Sequence, residues 1–127
     1  MLPRMNPADL FTHEENPVNL DAGETLFEAG DPADAMFVLL EGSLNVVVGE
    51  QVVENSRRGA ILGEMALVDN SPRGATVVAC ERCKLAKVDQ RRFQRLIQQN
   101  PFFATHVMKE LVQRIRQMNK LLTSRST

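Results

Sequence analysis

The sequence predicts a mainly β fold: a jelly-roll or similar double-sheet barrel, followed by two C-terminal helices. Three observations lead there. Between Val18 and Asp89, short runs of β-branched and apolar residues recur at close spacing, the pattern of a many-stranded barrel. Turn signals separate those runs at Asp21-Ala22-Gly23, Gly30-Asp31-Pro32, Glu41-Gly42-Ser43, Gly49-Glu50, Arg58-Gly59, Gly63 and Ser71-Pro72. After Val88 the apolar residues recur every three or four positions, the mark of helices.

Taken in order, residues 1–16 mix Pro, Asn, Asp and Glu around a short apolar patch at Leu10 and Phe11. They read as a lead-in with a short helical turn packed on the domain. Residues 17–89 form the barrel, with strands expected from Val18 to Leu20, Thr25 to Glu28, Met36 to Leu40 and Ser43 to Val48. Further strands follow from Gln51 to Ser56, Thr76 to Cys80 and Cys83 to Val88. Residues 90–122 hold the helices. Asp89 can cap the first, from Gln90 to Gln99, and Asn100-Pro101 stops it because a residue before proline is pushed out of the helical region. The second runs from about Phe102 to Leu122, where Met108, Leu111, Ile115, Met118 and Leu122 form a narrow apolar seam suited to another helix. Val107, Val112 and Leu121 broaden that stripe, while Lys109, Glu110, Gln113, Arg114 and Arg116 occupy the other face. A homodimer through residues 102–122 is therefore expected, with residues 123–127 as a tail.

Composition narrows the function. A chain of 127 residues suits one domain with a real core. With 15 basic and 16 acidic residues and a formal charge of -1, it lacks the positive field of a nonspecific nucleic-acid binder, so direct DNA binding is not expected. No apolar run approaches the roughly 18 residues that span a bilayer, and the start Met1-Leu2-Pro3-Arg4 has no apolar signal core. A cytoplasmic protein is the expectation. Cys80 and Cys83 make a single Cys-x-x-Cys, and His13 and His106 lie far away in sequence, so neither a zinc site nor a four-cysteine iron–sulfur cluster is expected. The two cysteines read as reduced structural residues. The two histidines cannot supply a cupin-type metal centre, and no Ser/His/Asp set or catalytic carboxylate pair stands out. The chain reads as a binding module, not an enzyme, with no cofactor.

The chemistry concentrates in residues 62–76. Gly63-Glu64-Met65-Ala66-Leu67 and Pro72-Arg73-Gly74-Ala75-Thr76 set one acid and one arginine across a turn-rich loop between apolar strands. That suits a singly charged phosphodiester with a ribose hydroxyl beside it. A nucleoside triphosphate would call for a Gly-x-x-x-x-Gly-Lys-Ser/Thr loop, and none occurs. Gly63 allows close backbone approach, and Glu64 to Leu67 can form one helical turn whose amides face an anion. Arg73 offers a planar fork for phosphate oxygens, and Glu64 an acceptor for a ribose hydroxyl. Small Ala66, Gly74 and Ala75 leave room for the ligand.

This stretch resembles the phosphate-binding cassette of cyclic nucleotide-binding domains, as found in catabolite activator proteins, protein kinase A regulatory subunits and cyclic nucleotide-gated channels. Ala22-Gly23-Glu24-Thr25-Leu26-Phe27, Gly30-Asp31-Pro32-Ala33-Asp34 and Met36-Phe37-Val38-Leu39-Leu40-Glu41-Gly42 resemble the family's first strands, so the likeness covers roughly residues 17–122. It implies a double-stranded β-helix, a jelly-roll-like β roll flanked by helices. It also implies Glu64 on the ribose 2′-hydroxyl, Arg73 on the cyclic phosphate, and backbone groups of Gly63, Met65, Ala66 and Gly74 or Ala75 closing the pocket. Many members place a hydroxyl residue after the arginine to hold guanine. Here Gly74 stands there, which favours cyclic AMP over cyclic GMP. Activator proteins offer hydroxyl residues to adenine from the long helix, where this chain has Met118 and Asn119: Asn119 to bond a base edge and Met118 to cover its face. The expected function is cyclic nucleotide sensing, with movement of the C-terminal helix as the signal. No recognition helix fits between Leu122 and Thr127, so an unknown protein partner is expected to carry the output. The alternatives are a sensor domain excised from a larger transcription regulator or channel, and a degenerate regulatory or dimerisation domain that binds nothing.

Overall fold

The computed structural model describes residues 6–67, 69 and 71–125, and the side chains of all of these except Met118 and residues 121–125. Eight strands form two antiparallel four-stranded sheets. The strands are β1 (Val18–Leu20), β2 (Thr25–Phe27), β3 (Ala35–Glu41), β4 (Leu44–Val48), β5 (Gln51–Ser56), β6 (Ile61–Leu62), β7 (Thr76–Ala79) and β8 (Cys83–Asp89). One sheet is ordered β1-β8-β3-β6 and the other β2-β7-β4-β5. This is the mainly β fold with C-terminal helices that the spacing of strands and turns predicts. The two-residue strand β6 is the one element without a forecast, since two apolar residues carry no period.

The sequence of β3 explains the layering. Ala35 to Leu40 is an unbroken apolar run, and all six residues are buried. Such a run belongs to a strand covered on both faces. Met36, Val38 and Leu40 face one cluster with Ala86 and Val88 of β8. Phe37 and Leu39 face the other, between the sheets, with Leu44, Val77 and Leu85.

Helices close the first face. Asp89 caps α1 (Gln90–Gln99) by accepting from the Arg92 amide at 2.8 Å, and Asn100 leaves the helical region before Pro101. Pro101 then opens α2 (Pro101–Arg125), a first position where its missing N–H costs nothing. Phe103, Val107 and Leu111 step by one helical turn and pack on the β3–β8 face. Phe93 meets Phe103 edge-on, with centroids 6.1 Å apart. The expected seam is thereby corrected: Leu111 turns inward, and the exposed apolar stripe runs through Met108, Val112 and Ile115. The seam positions Met118 and Leu122 have side chains outside the described residues.

The 3-10 helix Pro7–Phe11, capped by Asn6, lays Ala8 and Phe11 into the same cluster. Two ion pairs fasten this segment: Arg58 to Asp9 at 2.9 Å and Arg92 to Glu14 at 2.6 Å. Both cysteines are free thiols, Cys80 exposed and Cys83 buried. Burial pushes the Cys83 thiol pKa up, against the hydrogen bonds it makes near Ser43 and Glu81. Among the described residues, no helix is long and apolar enough to cross a membrane.

Candidate ligand-binding site

Between β6 and β7 the chain leaves the barrel through Gly63, makes a 3-10 turn at Glu64–Leu67, and returns through Pro72 and Arg73. Gly63 has φ +75°, and a Cβ there would run into Nη1 of Arg73. Only glycine meets both demands. Arg73 is in turn held from all sides. Its Nη2 donates to the Ala35 carbonyl at 2.7 Å and its Nη1 to the Gly63 carbonyl at 3.2 Å. Its guanidinium lies 4.2 Å from the centroid of Phe27 and 5.8 Å from that of Phe37. Backbone bonds at 2.9 and 2.7 Å clamp Arg73 to Asp31 and Gly30 in the turn before β3.

This arginine is 8% exposed. Burial lowers its pKa, and the charges of Asp34, Asp31 and Glu64 pull the other way. A guanidinium stays protonated under such shifts, so a buried positive charge sits at the end of the cassette.

Glu64, 2% exposed, opens the 3-10 turn. Its Oε1 accepts from Nη1 of Arg114, which reaches across from α2, and Nη2 of Arg114 donates to the Ile61 carbonyl at 2.8 Å. One helix residue thus grips both the acid and the strand leading into it. Two atoms stay unmatched: Glu64 Oε2 and Arg73 Nε are buried without a hydrogen-bond partner among the described residues. Orphaned buried groups cost about 1–3 kcal/mol each, more when charged. Here one is an acceptor and the other a donor, nine positions apart in sequence and on one cavity.

That cavity measures about 870 Å³. Gly63, Glu64, Met65, Ala66, Arg73, Gly74 and Ala75, all singled out from the sequence, line it together. The helix residues differ from those expected. Arg114 and Gln117 line the cavity from α2, Asn119 is exposed and is not part of the lining, and the Met118 side chain lies outside the described residues. Sequence reading placed Arg114 on the helix face opposite the apolar seam; Gln117, three residues on, lies on the same side of the helix. Phe27 and the β4–β5 hairpin residues Val46, Val48, Gln51, Val53 and Glu54 also line it, and the sequence gives no sign of their part in the site.

Comparison with known proteins bears on what fills it. A family model described as "Cyclic nucleotide-binding domain" matches residues 17–100. The patatin-like phospholipase domain-containing protein ZK370.4 of Caenorhabditis elegans is 35% identical over 103 residues, 81% of this chain. A cAMP-dependent protein kinase regulatory subunit of Emericella nidulans is 37% identical over 82 residues, 63% of this chain. The chain spans 8% and 20% of those two relatives, respectively. Among solved structures, the Thermus thermophilus catabolite activator protein shares the fold with TM-score 0.78 at 23% identity, over 92% of this chain and 62% of that one.

Proposed function

The chain belongs to the cyclic nucleotide-binding domain family, and from that premise we propose that it is a cytoplasmic cyclic AMP sensor that signals through α2. The observation that carries this reading is the unmatched pair in the cavity. Arg73 Nε is a buried cationic donor for the one negative charge of a cyclic phosphate, and Glu64 Oε2 is a buried acceptor for a ribose 2′-hydroxyl. Gly63, Met65, Ala66 and Gly74 or Ala75 bring backbone close enough to close around both.

The contact between Arg114 and Glu64 supports a signalling role as well as a binding one. Both unmatched atoms are shut off from solvent, and Arg114 lies on the carboxylate that the ribose would use. Ligand therefore reaches Glu64 as Arg114 gives ground or shares the carboxylate, Oε1 to the arginine and Oε2 to the hydroxyl. Either way, occupancy changes the free energy of one position of α2 relative to another, the condition for any ligand-driven shift. The stripe of Met108, Val112 and Ile115, with four- and three-residue steps, fits a second copy of the helix. A homodimer would carry the movement to its partner protein.

Cyclic AMP is preferred over cyclic GMP because Gly74 offers no hydroxyl beside the phosphate. The kinase regulatory subunit among the relatives is named for its dependence on cyclic AMP. Isothermal titration with both nucleotides, with the mass in solution measured with and without ligand, tests the proposal. Heat from cyclic AMP at micromolar concentration is the expected result; a folded chain that gives none with either nucleotide refutes it.

A further inference from the structure

If ribose takes over Glu64, as proposed above, the guanidinium of Arg114 is left to find another acceptor. We infer, on that reading of the site, that Glu110 of α2 is the acceptor: a positioning residue that holds Arg114 clear of Glu64 while ligand is bound.

The helix carries this acceptor in its own sequence. Pro101–Arg125 contains one acid, Glu110, against Lys109, Arg114, Arg116, Lys120 and Arg125. That acid stands four residues before the arginine that grips Glu64. Acid before base is the favourable order for an i, i+4 pair, and it sets the Cβ atoms about 5–6 Å apart. Side chains on a helix lean toward its N-terminus, so a withdrawn Arg114 falls over the turn that Glu110 occupies. The same lean is visible one turn earlier, where Oε1 of Glu110 faces Nε2 of His106. His106, Glu110 and Arg114 thus form a polar row beside the apolar row of Phe103, Val107 and Leu111 that packs α2 on the barrel.

Glu110 is uncommitted while Arg114 grips Glu64. Its one ion contact among the described residues, to His106, spans 3.6 Å, too long for a hydrogen bond, and His106 Nε2 has no hydrogen-bond partner. Arg57 and Arg58 share the cleft of Glu110, but Arg58 is bonded to Asp9 at 2.9 Å. An acceptor that pairs with Arg114 only in the displaced position lowers the free energy of the bound arrangement alone, and so raises ligand affinity. The competing acceptor is Glu54, which lines the large cavity together with Arg114.

Titration of the full chain with cyclic AMP and with 2′-deoxy cyclic AMP separates the two. The deoxy ligand has no hydroxyl to claim Glu64, so Arg114 stays in place and Glu110 gains nothing. In wild type, cyclic AMP should bind the tighter of the pair. Glu110→Gln should narrow that preference by about two- to fivefold, the size of one half-exposed ion pair, by weakening cyclic AMP and leaving 2′-deoxy cyclic AMP unchanged. In an Arg114→Met background the same substitution should change neither affinity. Equal losses for both ligands would make Glu110 merely structural and overturn the inference, as would a preference that survives Glu110→Gln or narrows in Glu54→Gln instead. A folded wild-type chain that binds neither ligand overturns the sensor reading as well.

Discussion

Replacing Arg73 by alanine should damage binding and folding by separable amounts. In the folded protein the substitution strips donors from the Ala35 and Gly63 carbonyls, which sit 2.7 and 3.2 Å from the guanidinium. It also removes the cation from the faces of Phe27 and Phe37. A buried carbonyl left unmatched costs about 1–3 kcal/mol, and a desolvated cation–π contact is worth about 1–2 kcal/mol. Relief from burying a charge offsets part of this, so the net loss should be about 2–4 kcal/mol. At about 4 °C per kcal/mol for a domain of this size, the melting temperature should drop by about 8–16 °C. For the ligand, one charge-assisted hydrogen bond of about 1.5–3 kcal/mol is lost, weakening cyclic AMP binding by about 10- to 150-fold. Calorimetric titration well below the melting transition, with circular dichroism on the same sample, reads both effects. A cooperatively folded Arg73→Ala variant that binds cyclic AMP within twofold of wild type would refute the assignment.

Three further substitutions probe the surroundings. Gly63→Ala should cost about 1–2 kcal/mol from the left-handed backbone alone and displace the guanidinium besides, so thermal melting and cyclic AMP affinity should fall together. Gly74 has open space where a Cβ would sit; Gly74→Thr should therefore leave the melt within about 0.5 kcal/mol of wild type and raise affinity for cyclic GMP relative to cyclic AMP. An unchanged ratio in competition titrations would remove Gly74 from the specificity argument. Arg92 is the acid-sensitive anchor of the N-terminal segment. Its hydrogen bond is the main force holding the Glu14 pKa below its ordinary 4.5, with burial opposing. A depressed carboxylate pKa stabilises above the ordinary value and loses that contribution as pH falls through the lowered one. Urea denaturation should thus show a gap between wild type and Arg92→Ala at about pH 7 that narrows at about pH 3, with a remnant from the Arg92 bond to the Lys87 carbonyl at 2.9 Å.

The cassette was legible because its chemistry is local. A glycine at positive φ, an acid on the next residue and a proline-arginine pair closing the loop all leave marks within fifteen residues. Most strands were legible for a similar reason, since β-branched runs between turn residues need no tertiary information. The helix side of the site was not. Whether Arg114 or Asn119 meets the cavity depends on the rotation of α2, which Phe103, Val107 and Leu111 set by packing on β3 and β8. Periodicity locates an apolar stripe but not which of two stripes wins the core: Leu111 was assigned to the outer seam and sits inside. The hairpin wall was hidden by a bulge at Val46 and Val47, because a shift in pairing leaves no composition signal in Gln51–Ser56.

The fixing of Arg73 also bears on entropy. A free arginine side chain carries about 2 kcal/mol of rotamer freedom, which a flexible phosphate-binding residue surrenders as ligand arrives. Here two carbonyls and two phenyl rings have already confined it to one orientation during folding. On the proposed sensor reading, the anion therefore meets a donor that is already ordered, and the entropy cost of capture falls mainly on the ligand and not on this arginine.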